Sequence, residues 1–429
     1  MEEILHLKPI KKVSGCIRLP GSKSISNRVL LLSALASGRT EISNLLVAED
    51  TDMMINALRT LGVHVERDGH NAVVEGCGGA FPVKDADLFL GNAGTALRPL
   101  SSTLAFAGGR YVLDGVARMR QRPVGHLVEA LNSIGARISY LGEEGFPPIL
   151  IEPSTRLTND VVFIKGSVSS QFVTGLLIAA PLIAPSVGLK IIIDGELVSS
   201  PYVSLTCKLM QSFGVLVRTT KGGYVVPQHR YISPGKFVVE SDASGASYFL
   251  ALGALCGPLK VEGIGRNSTQ GDATFVEYLA KMGAVVTRGE TWIKTAPPAF
   301  GHRLEGINAD YRQIPDAAMT IAAIAPMCSG RSVLRGIGSW RVKETDRIMA
   351  MATELTKVGC KVECGEDWLA IDPPQVLKGA EFDTYDDHRM AMCMSLIAAG
   401  GVPVSIRNPK CVGKTFPEYF DSLNSVVAE

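Results

Sequence analysis

One phrase recurs along this chain: an amphipathic helical segment, then an apolar residue, a glycine and a β-branched strand. It stands as MINALRTLGVHVE, LVEALNSIGARIS, LTCKLMQSFGVLVR, FVEYLAKMGAVVT and MATELTKVGCKVE, and a sixth helical segment follows in FPEYFDSLNSVV. The glycines occupy the position where a helix ends in a left-handed residue before a strand begins: Gly62, Gly135, Gly214, Gly283 and Gly359. Successive glycines lie 69 to 79 residues apart, and so regular a spacing indicates a repeat architecture.

A second series of helical segments alternates with the first and is apolar on every side. Its members are RVLLLSALASG, ALRPLSSTLAFAGG, QFVTGLLIAAPL, ASYFLALGALCG, AAMTIAAIAPMCSG and MAMCMSLIAAGG. A helix that is apolar all round is buried all round. Each unit therefore holds one buried helix and one half-exposed helix, with short strands between them, and six units group naturally as three plus three. We predict an α/β fold of two domains in which sheets cover a helical interior.

All six buried helices are preceded by polar segments. These are GSKSISNR (21–28), GNAGTALR (91–98), GSVSSQ (166–171), ESDASGAS (240–247), YRQIPDAAM (311–319) and YDDHRM (385–390). Capping explains one polar residue per helix at about 1 kcal/mol. It does not explain the cations Lys23, Arg28, Arg98 and Arg389, because a cation opposes the helix dipole at the N-terminus. Helix N-termini that carry cations as well indicate binding of anions.

Further basic groups support the same interpretation. VARMRQRPVGHL contains Arg118, Arg120 and Arg122, and RNPKCVGKTF contains Lys410 and Lys414. In SWRVKETDRIMAMATEL the spacing places Lys343 and Arg347 on one helical face, where like charges repel unless an anion lies between them. The alternative is that the neighbouring carboxylates Glu344 and Asp346 neutralise them. Together these groups predict a site for several phosphate or carboxylate groups.

The candidate acid–base residues beside these cations are Asp316, Glu344, Lys23 and His388. The chain has no GxxxxGK[ST], no GxGxxG after a strand, no HExxH and no GxSxG. YDDHRM could suggest a metal site, but three adjacent residues cannot all face one ion on a helix. We therefore expect chemistry by side chains alone, with no metal and no cofactor.

Composition excludes several classes of protein. The 43 basic and 42 acidic residues give a net charge of +1, which argues against nucleic acid or a membrane surface as partner. The nine scattered cysteines fit reduced cytosolic thiols. The uncharged stretch 166–189 carries Pro181 and Pro185 and fits a buried helix, a loop and a strand better than a membrane span. With no signal peptide visible, we expect a cytoplasmic location.

The motifs taken together resemble the 5-enolpyruvylshikimate-3-phosphate (EPSP) synthase family of enolpyruvyl transferases along essentially the whole chain. They are LPGSKSISNRVLLLSALASG, LGNAGTALRPL, RMRQRPVGHLVEAL, SSQF, SSPYV, IPDAAMT, WRVKETDRI, YDDHRMAM and KTFPEYF. The resemblance implies a two-domain inverted α/β barrel of six βαβαββ-type units, three per domain, whose buried parallel helices point their N-termini at an interdomain cleft. The domains would be 1–20 plus 242–429, and 21–241.

The resemblance also implies the substrates and their contacts. The set for shikimate-3-phosphate is Lys23, Ser24, Arg28, Ser169, Ser170, Gln171, Ser199, Tyr202, Asp316, Ser339 and Lys343. The set for phosphoenolpyruvate is Lys23, Asn92, Gly94, Arg122, Gln171, Arg347, Arg389 and Lys414. Two residues depart from the family pattern: Ser339 stands where many members have asparagine, and Ser200 where many have lysine. Ser339 shortens one expected substrate contact.

The implied reaction is addition of the substrate 5-hydroxyl to C2 of phosphoenolpyruvate, followed by elimination of phosphate. Asp316 would be the base at the hydroxyl, Glu344 and Lys23 would exchange the proton at C3, and His388 would supply a supporting polar contact. Gly94 leaves room beside phosphoenolpyruvate, so we expect the inhibitor glyphosate to bind. We also expect a monomer.

Three other functions are weighed against this one. A UDP-sugar enolpyruvyl transferase is expected to carry a reactive cysteine near RQRP, and this region has none. A metabolite kinase needs a divalent metal and a phosphate-wrapping glycine loop, and neither is evident. An anion-binding protein without catalysis has no reason to place Asp316 and Glu344 among cations.

Overall fold

The computed structural model describes residues 3–154 and 157–428 and divides the chain into two compact units. One unit, called unit 1 here, consists of the residues up to Pro20 together with those from Glu240 onward. The other, unit 2, is Gly21–Val239. The family resemblance implied a second boundary after residue 241. The chain is a mixed α/β protein, as predicted, with helices and strands alternating along both units.

Twelve α-helices lie within the described ranges. They are α1 (Lys23–Leu35), α2 (Glu49–Thr60), α3 (Gly94–Leu104), α4 (Gly125–Ser133), α5 (Ser170–Ile183), α6 (Ser200–Ser212), α7 (Ala243–Cys256), α8 (Phe275–Lys281), α9 (Pro315–Ile324), α10 (Arg347–Lys357), α11 (His388–Ser395) and α12 (Tyr419–Val426). The odd-numbered helices are almost entirely buried, and the even-numbered ones bury one face. The predicted alternation of the two helix series is confirmed.

The strands of the described ranges are short. They are β1 (Ile4–Leu7), β2 (Gly15–Arg18), β3 (Ser37–Ser43), β4 (His64–Asp68), β5 (Asn71–Cys77), β6 (Asp85–Phe89), β7 (Arg110–Asp114), β8 (Ile138–Tyr140), β9 (Ile149–Ile151), β10 (Val161–Lys165), β11 (Leu189–Asp194), β12 (Arg218–Thr220), β13 (Gly223–Val226), β14 (Lys236–Val238), β15 (Leu259–Glu262), β16 (Val285–Arg288), β17 (Trp292–Ala296), β18 (Asn308–Asp310), β19 (Ser332–Arg335), β20 (Lys361–Cys364), β21 (Trp368–Asp372), β22 (Ala380–Phe382) and β23 (Val404–Arg407).

The strands form six small mixed sheets, and one of them shows the repeat in its simplest form. In the sheet of order β6-β7-β9-β8, β6 pairs in parallel with β7, and the two hairpin strands follow antiparallel. The buried helix α3 connects the parallel strands, and the half-exposed α4 leads to the hairpin. The sheets β10-β11-β13-β12 and β18-β19-β21-β20 have the same order. A parallel pair needs such a crossover helix, which explains why each repeat contains one buried helix.

The chain passes between the two units twice. At each passage, the strand before the crossing pairs within the unit that the chain is leaving. Strand β2 runs into α1 along the chain, but it pairs in parallel with β15 of unit 1. Strand β14 runs into α7, but it pairs in parallel with β3 of unit 2. Each of these repeats therefore takes its first strand from a distant part of the chain. This exchange makes unit 1 discontinuous in sequence.

Each unit has its own apolar core around its buried helices. In unit 2, α3 packs against α5 and α1, and in unit 1, α9 packs against α7 and α11. The predicted left-handed glycines are confirmed, with φ between 85° and 105° at Gly62, Gly135, Gly214, Gly283 and Gly359. Only glycine takes this conformation without steric cost. Among the residues described, no helix combines the length and apolarity needed to cross a membrane.

Candidate active site

In unit 2 the N-terminal ends of α1, α3 and α5 lie together. Asn27 of α1 donates a hydrogen bond to the Thr95 hydroxyl of α3 at 2.6 Å. A Cβ placed on Gly94, the first residue of α3, would lie 3.1 Å from Oε1 of Gln171 in α5. Three helix N-termini in one place concentrate positive partial charge and backbone N–H groups.

Lys23 opens helix α1, and its ammonium already has a carboxylate neighbour. Its Nζ lies 3.3 Å from Oδ2 of Asp50, and the two side chains are 12% and 4% exposed. Asp50 belongs to the first turn of α2, which packs on α1. One of the cations that the sequence places at a helix N-terminus is therefore partly neutralised within the protein.

Arg28 is buried one turn further along α1, and its guanidinium contacts neutral groups. Nε donates to Oγ1 of Thr206 at 2.9 Å, Nη2 to Oγ1 of Thr174 at 3.2 Å, and Nη1 to the carbonyl oxygen of Ser24 at 2.9 Å. Burial lowers the pKa of Arg28 to about 10. No carboxylate of the described chain forms an ion pair with it. A buried cation of this kind favours an anionic ligand.

Gly94 lies against two buried arginines. A Cβ at this position would overlap Nη1 of Arg98 and lie 2.9 Å from Nη2 of Arg122. Arg122 also donates through Nη1 to the backbone and side-chain oxygens of Asn92, at 2.9 and 2.8 Å. The glycine thus lets two guanidinium groups approach the start of α3, where an anion gains most from them.

The hydroxyl groups predicted for phosphate recognition lie at the starts of α5 and α6. Ser169 caps α5 and accepts a hydrogen bond from the backbone N–H of Gln171 at 3.2 Å, and Ser170 is buried beside it. Ser199 precedes α6 in the left-handed conformation, with φ 54°. Such a φ is uncommon for a residue other than glycine and is concentrated at functional sites.

In unit 1 one arginine joins three carboxylates. Arg347, 1% exposed, bonds Asp387 through Nε at 2.7 Å and Nη2 at 3.2 Å. Its Nη2 also donates to Glu344 at 2.8 Å, and its Nη1 to Asp316 at 3.1 Å. Burial disfavours its charge, but the three carboxylates outweigh burial and raise the pKa of Arg347 above its usual value. We call Asp316, Glu344, Arg347, Asp387 and Arg389 the carboxylate–arginine cluster.

Asp316 receives cations from three sides. Besides Arg347, Nη2 of Arg389 lies 3.2 Å from its Oδ2 and Nζ of Lys343 lies 3.5 Å from its Oδ1. Burial opposes ionisation of this carboxyl, but the charges of Arg389, Lys343 and Arg347 outweigh burial and hold its pKa well below the usual range. Asp316 is therefore an ionised carboxylate that can accept a proton or a hydrogen bond.

The predicted helical pairing of Lys343 and Arg347 is wrong. Helix α10 begins at Arg347, and Lys343 closes the 3₁₀ turn Gly338–Val342 in extended conformation. Asp346 caps α10 instead, accepting from the backbone N–H of Met349. The two cations still converge, because both contact Asp316.

The remaining predicted residues of unit 1 lie on the elements around this cluster. His388 is buried at the start of α11, with Nδ1 3.4 Å from Oδ1 of Asp387. Ser339 lies in the turn Gly338–Val342, and Lys414 is buried at the end of the turn Pro409–Lys414.

Sequence reasoning missed Asp387 and Asp50 as members of these sites. Asp387 stands in YDDHRM just before α11, where it caps the helix by accepting from the backbone N–H of Arg389 at 2.9 Å. The N-cap position was the available signal, but its partner Arg347 lies 40 residues away along the chain. Side-chain caps occur at three of the six buried helices, on Ser169, Asp242 and Asp387, so capping explains half of the polar starts.

Within residues 3–154 and 157–428, no three His, Cys, Asp or Glu residues are arranged to hold a metal ion.

The sequence matches the family described as EPSP synthase (3-phosphoshikimate 1-carboxyvinyltransferase) over residues 7–423. A 3-phosphoshikimate 1-carboxyvinyltransferase of Paraburkholderia phymatum is 56% identical over 425 residues, covering 98% of both chains. The protein of the same name from Burkholderia multivorans shows the same identity over the same length. Among solved structures, EPSP synthase from Acinetobacter baumannii superposes with a TM-score of 0.83 at 26% identity, covering 100% of this chain and 98% of the other.

Proposed function

The chain belongs to the EPSP synthase family, and from that premise we propose how its side chains carry out enolpyruvyl transfer. The enzyme transfers the enolpyruvyl group of phosphoenolpyruvate to the 5-hydroxyl of shikimate-3-phosphate and releases phosphate, a step of the shikimate pathway. The observation that carries our assignment of roles is the position of Asp316, an ionised carboxylate among three cations. The UDP-sugar, kinase and binding-protein alternatives are not favoured.

Phosphoenolpyruvate binds the arginines. Its carboxylate and phosphate are both anionic, and guanidinium groups bind such oxygens in pairs. We assign Arg347 and Arg389 of unit 1 to this substrate, with Arg122 of unit 2. The complete set adds Lys23, Asn92, Gly94, Gln171 and Lys414. In unit 2 the support is Gly94, whose missing side chain leaves Arg122 beside the start of α3.

Shikimate-3-phosphate binds the hydroxyl groups and the buried arginine of unit 2. Its phosphate rests on Ser169, Ser170, Ser199 and Lys23, which offer hydroxyl and ammonium donors. The buried guanidinium of Arg28, which contacts neutral groups, gains an anionic partner when this substrate binds. The remaining contacts are Ser24, Gln171, Tyr202, Asp316, Ser339 and Lys343.

Asp316 accepts the proton of the 5-hydroxyl. In the ligand-free protein its cationic neighbours keep its pKa well below the usual range, which makes it a weak base. When phosphoenolpyruvate binds Arg347 and Arg389, its negative charge offsets theirs and the pKa of Asp316 rises towards a useful value. Binding of phosphoenolpyruvate thus makes Asp316 a stronger base.

The bonds change in two steps. First the 5-hydroxyl oxygen bonds to C2 of phosphoenolpyruvate, its proton passes to Asp316, and a proton from Glu344 or Lys23 reaches C3. The resulting tetrahedral intermediate then returns a C3 proton to Glu344 or Lys23 as its C2–O(phosphate) bond breaks, giving the enol ether and inorganic phosphate, and the proton held by Asp316 leaves with the phosphate. His388 supports this arrangement through Asp387. The arginines stabilise the charge that develops on the departing phosphate.

Glyphosate binding, cytoplasmic location and a monomeric state belong to the same proposal. Glyphosate carries a carboxylate and a phosphonate, so it fits the cations assigned to phosphoenolpyruvate and the space beside Gly94. The monomeric state stays a prediction.

Phosphate release tests the proposal. The protein is mixed in EDTA with phosphoenolpyruvate, with shikimate-3-phosphate, and with both. We expect phosphate from the pair and from neither substrate alone, and a loss of at least about 100-fold in kcat for Asp316→Asn. Asp310→Asn, at an exposed carboxylate of the same unit, is the control and retains activity. Release that needs a divalent metal or ATP would contradict the proposal.

A further inference from the structure

Glu354 is a fully buried carboxylate that the mechanism does not use. It lies on α10 seven residues after Arg347, so both side chains project from the same face of the helix two turns apart. Its side chain is 0% exposed. It accepts hydrogen bonds from the Tyr385 hydroxyl at 2.7 Å and from the backbone N–H of Asp383 at 3.0 Å, and it pairs with Lys357 at 2.7 Å.

Two of these partners belong to the segment that leads into α11. Within it, Tyr385 and Asp386 both have φ 54°, so two consecutive residues other than glycine are left-handed. A backbone of this kind persists only where its surroundings hold it. Glu354 accepts a hydrogen bond from the Tyr385 hydroxyl, and Asn408 donates to Oδ1 of Asp386 at 3.2 Å.

The residues that follow this turn are those assigned to substrate. Asp387 pairs with Arg347 at two points, and Arg389 bonds Asp316 at 3.2 Å. Helix α10 therefore contacts this segment at two places. Glu354 bonds Tyr385 in the turn, and Arg347 bonds Asp387 just after it. A shift of the turn would move Asp387 and Arg389 relative to Arg347.

We propose that Glu354, through its hydrogen bond to the Tyr385 hydroxyl, is a positioning residue for Arg347 and Arg389. The pair sets the spacing of the two guanidinium groups that bind phosphoenolpyruvate, without touching that substrate. This inference rests on the proposed function. It predicts an effect on phosphoenolpyruvate that exceeds the effect on shikimate-3-phosphate, because most contacts assigned to the latter lie in unit 2.

Tyr385→Phe tests the proposal, since Tyr385 is 40% exposed and loses one hydroxyl. We expect the KM for phosphoenolpyruvate to rise about threefold or more, while the KM for shikimate-3-phosphate stays within about 1.5-fold. The melting temperature is expected to stay within about 3 °C of the parent. Tyr278→Phe is the matched control, because it removes a phenolic hydroxyl of the same unit that donates to the backbone carbonyl of Asp310 at 3.1 Å. Both KM values should stay unchanged in this variant.

Glu354→Gln supplies a second variant, because its amide oxygen can still accept from Tyr385. We expect a smaller rise in the KM for phosphoenolpyruvate than in Tyr385→Phe. Equal rises in both KM values, or no rise in Tyr385→Phe, would overturn the positioning role. A parent protein that releases no phosphate from the substrate pair would contradict the proposed function itself, and this role with it.

Discussion

Arg347 and Asp387 bind each other at two points, with Nε 2.7 Å from Oδ2 and Nη2 3.2 Å from Oδ1. Both side chains are buried, and Asp387 also caps α11. Removing one member of a buried pair leaves the other charge without its compensation, which costs more than an exposed pair is worth. This ion pair therefore ties α10 to the start of α11.

The first prediction concerns the stability of that pair. Asp387→Asn retains the cap but loses the charge, and we expect a loss on the order of 3 kcal/mol in unfolding free energy. Urea unfolding of parent and variant measures it. Asp383→Asn removes a more exposed carboxylate, 2.9 Å from Lys357, and should lose less than about 1 kcal/mol. Equal losses in the two variants would show that burial of the pair has no special weight.

The second prediction concerns pH. The folded protein holds the pKa of Asp316 below the value of about 3.9 expected in the unfolded chain, because Arg389, Lys343 and Arg347 overcome the effect of burial. A carboxylate of this kind adds stability that is complete above its unfolded pKa and is lost as the pH falls towards its folded pKa. The stability difference between parent and Asp316→Asn should therefore be constant from pH 5 to 8 and shrink below about pH 4. A stability difference that stays constant down to pH 2 would contradict a lowered pKa of Asp316 in the folded protein.

The third prediction concerns Gly94. In Gly94→Ala the new methyl group would overlap Arg98 Nη1 and press on Arg122 Nη2 at 2.9 Å, so both guanidinium groups must move. We expect the KM for phosphoenolpyruvate to rise about tenfold, and the glyphosate concentration for half-inhibition to rise further. Steady-state kinetics with and without glyphosate measure both. Gly142→Ala is the control, because its methyl group would meet only Pro148 at an ordinary 3.6 Å. Unchanged constants for Gly94→Ala would remove this glycine from the site.

The fourth prediction separates function from stability at Arg28. Its guanidinium is buried among Thr206, Thr174 and the Ser24 carbonyl, and the two threonine hydroxyls also bond each other at 3.1 Å. Arg28→Met removes a buried charge and leaves these hydroxyls partnered, so the ligand-free protein should melt at or above the parent temperature. The KM for shikimate-3-phosphate should rise at least about tenfold, because the substrate loses one charged hydrogen bond. A variant that melts lower but binds this substrate normally would assign Arg28 a structural role.

Periodicity in the sequence predicted the helices and the turns that end them. Apolar residues on every side identified α5 as buried, and Gly359 marked the end of α10 because a left-handed residue is required there. Both signals are local, so a single segment carries them.

Pairings between distant segments could not be predicted in the same way. The sequence does not show that β14 lies beside β3, with Phe237 opposite Ile42, because alternation tells which face of a strand is buried and not which strand is its neighbour. Likewise Arg347 was recognised as a cation, but its partners are Asp316 of α9 and Asp387, the N-cap of α11. Lys343 was placed on a helix that begins only at Arg347, since its charge says nothing of where a helix starts.

The central claim is that arginines of both units serve one reaction, and kcat/KM for phosphoenolpyruvate tests it most directly. We measure it by phosphate release at saturating shikimate-3-phosphate for Arg122→Gln in unit 2 and Arg389→Gln in unit 1. Arg120→Gln, at an exposed arginine paired with Asp114, is the control. The account predicts that each of the first two variants loses at least about 100-fold and the control less than about twofold. If either Arg122→Gln or Arg389→Gln keeps the parent value, that arginine does not bind phosphoenolpyruvate and its assignment is wrong.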